Sequence, residues 1–262
     1  MTEWLIYLAV GAGAGLLAGL FGVGGGLVIV PVLVWVFAGV GIDAAVGMHL
    51  AIGTSLATII FTSLSSVRAH HRRGAVQWPV VRQLAPGIVL GTALGALVAD
   101  QMPTDMLRTV FGVFELTVAA QLGFALLPEA HRTLPARFGM GLAGSVIGAV
   151  SAFVGIGGGT LTVPFLLWCG VAVRQAVATS AACGLPIAAA GAVSFTVTGW
   201  DNAALPPQAV GYVYLPALIG VAASSILLAP LGAHLAHNLP TNVLKRFFAL
   251  FLALLGVKML LG

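Results

Sequence analysis

Two short stretches of this chain are copies of one another, and both resist helix formation. The first is Gly22-Val23-Gly24-Gly25-Gly26, running into Leu27-Val28-Ile29-Val30-Pro31; the second is Gly155-Ile156-Gly157-Gly158-Gly159, running into Thr160-Leu161-Thr162-Val163-Pro164. Each lies in a long apolar run, since residues 4–42 and 138–173 contain no Asp, Glu, Lys or Arg. A glycine inside a helix costs roughly 1 kcal/mol relative to alanine, so an apolar helix is expected to break at three in a row. In lipid, the backbone groups freed by a break are tolerated only against protein or a water-filled cavity. Two breaks, one per half of a chain, are the best pointer in a sequence to a site built between the halves.

Composition sets the medium. Only 7% of the 262 residues are charged and 60% are hydrophobic, against about 25% charged in soluble domains; the mean hydropathy is +1.09. This is the signature of an all-α polytopic membrane protein. At about 20 apolar residues per span, eight to ten helices use nearly the whole chain and leave no room for a soluble domain. The net charge of +4 does not signal nucleic-acid binding, because the few Lys and Arg lie between apolar segments, where they orient a protein in the bilayer. Met1-Thr2-Glu3 lacks the basic start of a cleavable signal. Cys169 and Cys183 lie singly in apolar segments and read as small core residues. No cysteine or histidine cluster suggests a metal, and no cofactor is implied.

The first hydrophobic segment covers residues 4–20. A short second one covers 27–40 and contains Pro31. The third, about 45–67, is polar for a membrane segment, with His49, Thr54, Ser55, Thr58, Thr62 and Ser63. Arg68 through Trp78 then reads as the most basic loop and is placed on the cytoplasmic side. The fourth segment, about 80–99, carries Gly87, Gly91 and Gly95 on one helix face, a ladder for close packing. The fifth covers 105–127.

The second half repeats the first. The glycine motif recurs at an offset of 133 residues, Ala45-Val46 matches Ala176-Val177 at 131, and Pro103-Thr104 matches Pro240-Thr241 at 137. Two homologous repeats of about five segments each follow: residues 1–127, a cytoplasmic linker 128–137 with Glu129, His131, Arg132 and Arg137, and residues 138–262. The loop after the third segment has Arg68, Arg72 and Arg73, while its counterpart 199–208 has Asp201 alone. The turn before the fifth has Asp100 and Asp105, flanked by Arg108, while its counterpart has His234 and His237, then Lys245 and Arg246. Opposite charge at equivalent loops predicts inverted repeats, with both termini outside.

Several residues carry candidate chemistry. Consecutive glycine N–H groups can converge on an anion, and the helix that follows adds its positive end. Gly22, Gly24, Gly25 and Gly26, with Gly155, Gly157, Gly158, Gly159 and Thr160, are therefore candidate anion-binding residues. Close helix packing is the alternative reading. His49 is an imidazole within a membrane segment, a site of expected function able to handle protons near neutral pH. It aligns with Ser180, beside Thr179. Thr54 and Ser55 can donate to a substrate or bond only to nearby backbone. Glu115 lies two helical turns from Arg108 and is a second candidate for proton coupling; its repeat counterpart is Leu252. Asp201 and Asn202, next to the interfacial Trp200, read as solvent-exposed. His70, His71, His234 and His237 read as loop residues without a metal.

The chain resembles the TauE/SafE family of sulfite exporters, also called TSUP, over essentially its full length. The resemblance rests on the duplicated Gly22–Pro31 and Gly155–Pro164 motifs, on Ala51-Ile52-Gly53-Thr54-Ser55-Leu56, on Ala69-His70 with Gly74 and Trp78, on Pro86-Gly87, and on Ala176 through Ser180. It implies a multi-pass permease of a bacterial inner membrane for sulfite, organosulfonates or related sulfur-containing or organic anions, with proton coupling usual. Leu185-Pro186 stands where the first half has Thr54-Ser55, which suggests that the first half dominates the chemistry. The expected function is secondary transport of a small anion by alternating access, with export the favoured direction. The alternatives are an anion channel and, further off, a membrane scaffold; homo-oligomerisation stays open. Neither a Walker motif nor a rhomboid-like or metalloprotease signature is present, so an enzyme is not expected.

Overall fold

The computed structural model describes residues 2–21, 25–124, 133–235 and 241–261. Gly22, Val23, Gly24, Glu129, His131, Arg132, His237 and Pro240 lie outside them. Among the described residues there are ten helices: α1 Thr2–Phe21, α2 Gly26–Gly39, α3 Ala44–Arg72, α4 Trp78–Asp100, α5 Thr104–Gly123, α6 Arg137–Val154, α7 Gly159–Trp168, α8 Val173–Thr198, α9 Leu215–Leu235 and α10 Thr241–Leu261. A two-stranded hairpin, β1 Ala209–Val210 and β2 Val213–Tyr214, precedes α9. Four helices, α3, α4, α6 and α8, are long and apolar enough to cross a membrane by length and composition. The α3 helix continues five residues past Val67, through Arg68 and Arg72, into what hydropathy reads as loop. Basic residues there suit the negative end of the helix.

Small residues set the packing. A Cβ added to Gly87, Gly91 or Gly95 of α4 would land on the backbone of Gly141, Ser145 or Ala149 of α6. The contacts rise together in number, so α4 and α6 run parallel. In the same way Gly11 and Gly15 of α1 meet the backbone of Val221 and Ser225 of α9, again in parallel. On the far side of α4, Leu90, Leu94 and Leu97 are exposed. A helix with glycine inward and leucine outward suits the rim of a membrane bundle, where small residues let neighbouring helices approach closely.

The two remaining major pairings run the other way. Gly53, Leu56 and Ser63 of α3 lie against Phe195, Gly191 and Gly184 of α8, so numbers rise on one helix as they fall on the other. Gly112 and Gly123 of α5 lie against Gly256 and Ala249 of α10, also antiparallel. Exchanging α1–α5 for α6–α10 maps this set of pairings onto itself: α1 with α9 becomes α6 with α4, while α3 with α8 and α5 with α10 are each unchanged.

The short helix α2 is apolar all round, and Leu27, Ile29, Val30, Leu33 and Phe37 are fully buried within one core with Ile52, Leu56, Phe111, Ile156 and Ile187. A helix without a polar face belongs in the interior. The hairpin is the element that hydropathy does not foresee. Tyr212 and Tyr214 are buried, Tyr212 N–H donates to the carbonyl of Phe195 (3.1 Å), and the carbonyl of Tyr212 lies against Gly53. It therefore reaches down between α3 and α8.

Candidate functional site

The second glycine motif is described in full. Helix α6 ends at Val154, and Gly155 takes a left-handed conformation (φ 67°) that only glycine adopts freely. Its N–H and that of Ile156 both return to the carbonyl of Ser151. Helix α7 begins at Gly159, and the carbonyl of Gly158 accepts from Thr162 N–H at 2.7 Å. The five N–H groups between these bonds, Gly157 through Leu161, donate to no described residue. Gly157, Gly158, Gly159 and Thr160 are buried. Gly159, Thr160 and Leu161 form the first turn of α7, where N–H groups have no acceptor within the helix; what sets this run apart is its burial, since buried backbone donors are nearly always paired.

Side-chain hydroxyls surround the run. Thr160 and Thr162 are buried, and neither hydroxyl has a hydrogen-bond partner among the described residues. Thr162 Oγ1 faces the loop, 2.9 Å from where a Cβ on Gly158 would stand. Across the gap is Gly184 of α8. A Cβ there would lie 3.7 Å from the Gly158 nitrogen and 3.0 Å from Ser63 Oγ of α3. Glycine at 184 thus keeps side-chain atoms out of a space that a loop N–H and a hydroxyl both border.

The two motifs meet. A Cβ on Gly26 would collide with the carbonyl of Gly155, and Gly155 in turn lies on Ile52 and Val30. Gly25 has φ 78° and packs on Ala14 of α1. Both short helices, α2 and α7, therefore start at one crossing and direct their positive ends toward it.

The other predicted residues divide sharply. Ser55 donates to the carbonyl of Gly155 (2.7 Å), and Thr54 Oγ1 accepts from Tyr214 N–H (2.9 Å). Both hydroxyl oxygens serve packing, and the partnerless threonine hydroxyls at the crossing belong to the second half. At Thr160 and Thr162 the first half has Leu27 and Ile29. Ser180 bonds back to Val177 within α8, although its carbonyl faces Gly158. Thr179 Oγ1 accepts from Gln77 N–H (3.0 Å). His49 stands one turn from Ile52 with its ring stacked on Tyr212 (centroids 5.1 Å, planes 30° apart). Its Nε2 donates to the Ala99 carbonyl (3.0 Å), which leaves the buried Nδ1 as an unpartnered acceptor. Glu115 is fully buried, and neither carboxyl oxygen has a partner; no hydrogen bond connects it to the glycine crossing. Asp201 is exposed, but Asn202 is half-buried and donates to the Tyr212 hydroxyl (3.1 Å). Gly184 and Thr162 are the residues that motif reading does not single out: one is a single glycine among many, and the other reads as part of an apolar run.

Several apolar helices packed on glycine ladders, with a polar crossing inside, define a multi-pass membrane protein. The family model described as "Sulfite exporter TauE/SafE" matches residues 7–259, and the chain belongs to that family. It is 39% identical to a probable membrane transporter protein of Haemophilus influenzae, over 99% of both chains. It is 26% identical to one of Methanocaldococcus jannaschii, over 98% of this chain and 95% of that one. A third relative, YunE of Bacillus subtilis, is 27% identical over 98% and 97%. All three are named as probable membrane transporters, not as enzymes. No solved structure matches the chain.

Proposed function

We propose that this protein is a secondary transporter that exports a small anion, such as sulfite, an organosulfonate or a related organic anion, from a bacterial cell in exchange for protons. The observation that carries this reading is the run of five N–H groups, Gly157 through Leu161, four of them on buried residues, without acceptors among the described residues. The partnerless hydroxyls of Thr160 and Thr162 and the starts of two short helices favour negative charge at the same place. The inside-negative potential of a bacterial cell drives an anion outward.

The halves act as inverted repeats. If one rotation exchanges them, each helix packed on its own counterpart tells the direction of the axis. Antiparallel packing of α3 on α8 and of α5 on α10 supports an axis across those helices rather than along them. Rocking of one half on the other then opens the crossing to each face in turn. His49 and Glu115 are the groups proposed to carry the proton.

The test is exchange of labelled sulfite in proteoliposomes. A saturable exchange, abolished by Gly158→Ala in a folded protein, is expected. A flux that rises linearly with concentration would mean a channel, and no flux for any small anion would end the anion reading.

A further inference from the structure

Among the described side chains, none brings a formal positive charge to the crossing. Residues 4–67, 138–173 and 175–244 include no Lys or Arg, and they supply the portions of α1, α2, α3, α6, α7 and α8 that surround it. Among the described side chains, every Lys and Arg is exposed except Arg108. Arg108 is half-buried and lines a cavity of about 70 Å³ with Val34, Ala38 and Thr104, toward the far end of α2. His49 directs its Nε2 to Ala99 and its ring face to Tyr212, and forms no bond to either glycine loop.

Donors of this kind act as fixed dipoles. Their attraction grows in proportion to the charge of the ion, whereas the cost of removing the ion from water grows as its square. A second charge on the same small ion therefore doubles the gain but raises the cost about fourfold. A Lys or Arg beside the ion offsets part of this cost, and among the described side chains none faces the crossing.

We infer that the site takes a singly charged oxyanion and rejects dianions: hydrogensulfite, an alkylsulfonate or a monocarboxylate is accepted, and sulfate or the sulfite dianion is not. This inference rests on the anion reading of the crossing.

The experiment is thermal unfolding of the purified full-length protein in detergent, with methanesulfonate, acetate or sulfate at matched ionic strength. The Gly158→Ala variant runs in parallel. Gly158 has an ordinary right-handed conformation (φ −60°); its new methyl comes close only to the side-chain ends of Thr162 and Ile187 and meets the Ser180 carbonyl at 3.6 Å, an ordinary contact. The variant is therefore expected to fold with a small shift of those two side chains, and it subtracts the general stabilisation that sulfate gives any protein. The expected result is a Tm rise with methanesulfonate that the variant loses, and a variant-sensitive rise with sulfate only at concentrations at least about tenfold higher, if at all. A variant-sensitive shift with sulfate as strong as with methanesulfonate would overturn the inference while leaving an anion site in place. A methanesulfonate shift unchanged in Gly158→Ala would place binding elsewhere and overturn it too. No variant-sensitive shift with any anion would remove the anion reading itself, and the inference with it. A sulfite series adds an independent readout. The total sulfite needed for half the effect should rise with pH as hydrogensulfite gives way to the dianion, while the methanesulfonate value stays constant; the opposite trend would refute single-charge selection.

Discussion

Ser55 donates its hydroxyl to the carbonyl of Gly155 at 2.7 Å, a bond between residues 100 apart that ties α3 to the turn after α6. Both groups are buried, so removing the donor leaves a carbonyl without a partner, at a cost of about 1–3 kcal/mol. Ser55→Ala should lower the Tm in detergent and slow transport; an unchanged Tm would mean that the Gly155 carbonyl finds another donor.

Gly155 and Gly158 stand three residues apart and should respond differently to alanine. Gly155 combines φ 67° with Ile52 Cα and Val30 Cγ2, each 3.0 Å from the Cβ position. Gly155→Ala should cost about 2 kcal/mol or more. Gly158→Ala should keep its unfolding free energy within about 1 kcal/mol of the native value and still lose transport. Equal Tm losses would make both glycines packing residues.

Thr54 and Thr179 hold reciprocal locks. The segment after α3 gives Gln77 N–H to Thr179 of α8, and the hairpin after α8 gives Tyr214 N–H to Thr54 of α3. Each lock closes one end of the α3–α8 pair. Thr54→Val should expose a reporter cysteine at Thr160 to an impermeant thiol reagent from the hairpin side. Thr179→Val should expose it from the Gln77 side. If both variants label from one side, the locks are not gates.

Glu115 has no polar partner, and its counterpart Leu252 is equally buried. Glu115→Leu should stabilise the fold by about 1 kcal/mol or more and abolish transport driven by a pH gradient. Glu115→Gln should also remove the response to a pH gradient while anion exchange continues. Persistence of gradient-driven transport in Glu115→Gln would exclude this carboxyl from coupling.

The sequence reading went furthest where covalent chemistry dictates the outcome. Three glycines in an uncharged run resist a helix in any context, and glycines at spacing four form a packing face wherever α4 finds a neighbour. What it could not reach depends on contacts between distant elements. The hairpin strands are two residues long, too short for any periodicity, and the anchor of Tyr214 is a backbone N–H that no residue pattern displays. Ser63 and Gly184 read as ordinary helix residues until antiparallel packing of α3 on α8 sets them side by side. The roles of Thr54 and Ser55 were open for the same reason: a hydroxyl in a motif suits a ligand or a carbonyl equally well, and only the neighbour decides.

The unequal lengths of α2 and α7 have an electrical consequence. They contain 14 and 10 residues, which at about 1.5 Å per residue is roughly 21 and 15 Å. They leave the glycine crossing toward opposite faces, because they lead into the starts of the antiparallel α3 and α8. On the proposed inverted-repeat reading, the crossing would stand near the middle of the voltage drop. A monovalent ion that reaches it has moved through about half of the field, roughly 1.2 kcal/mol per 100 mV. For the proposed transporter, occupancy of the crossing, before the proposed rocking of the halves, should thus depend on membrane voltage as well as on concentration.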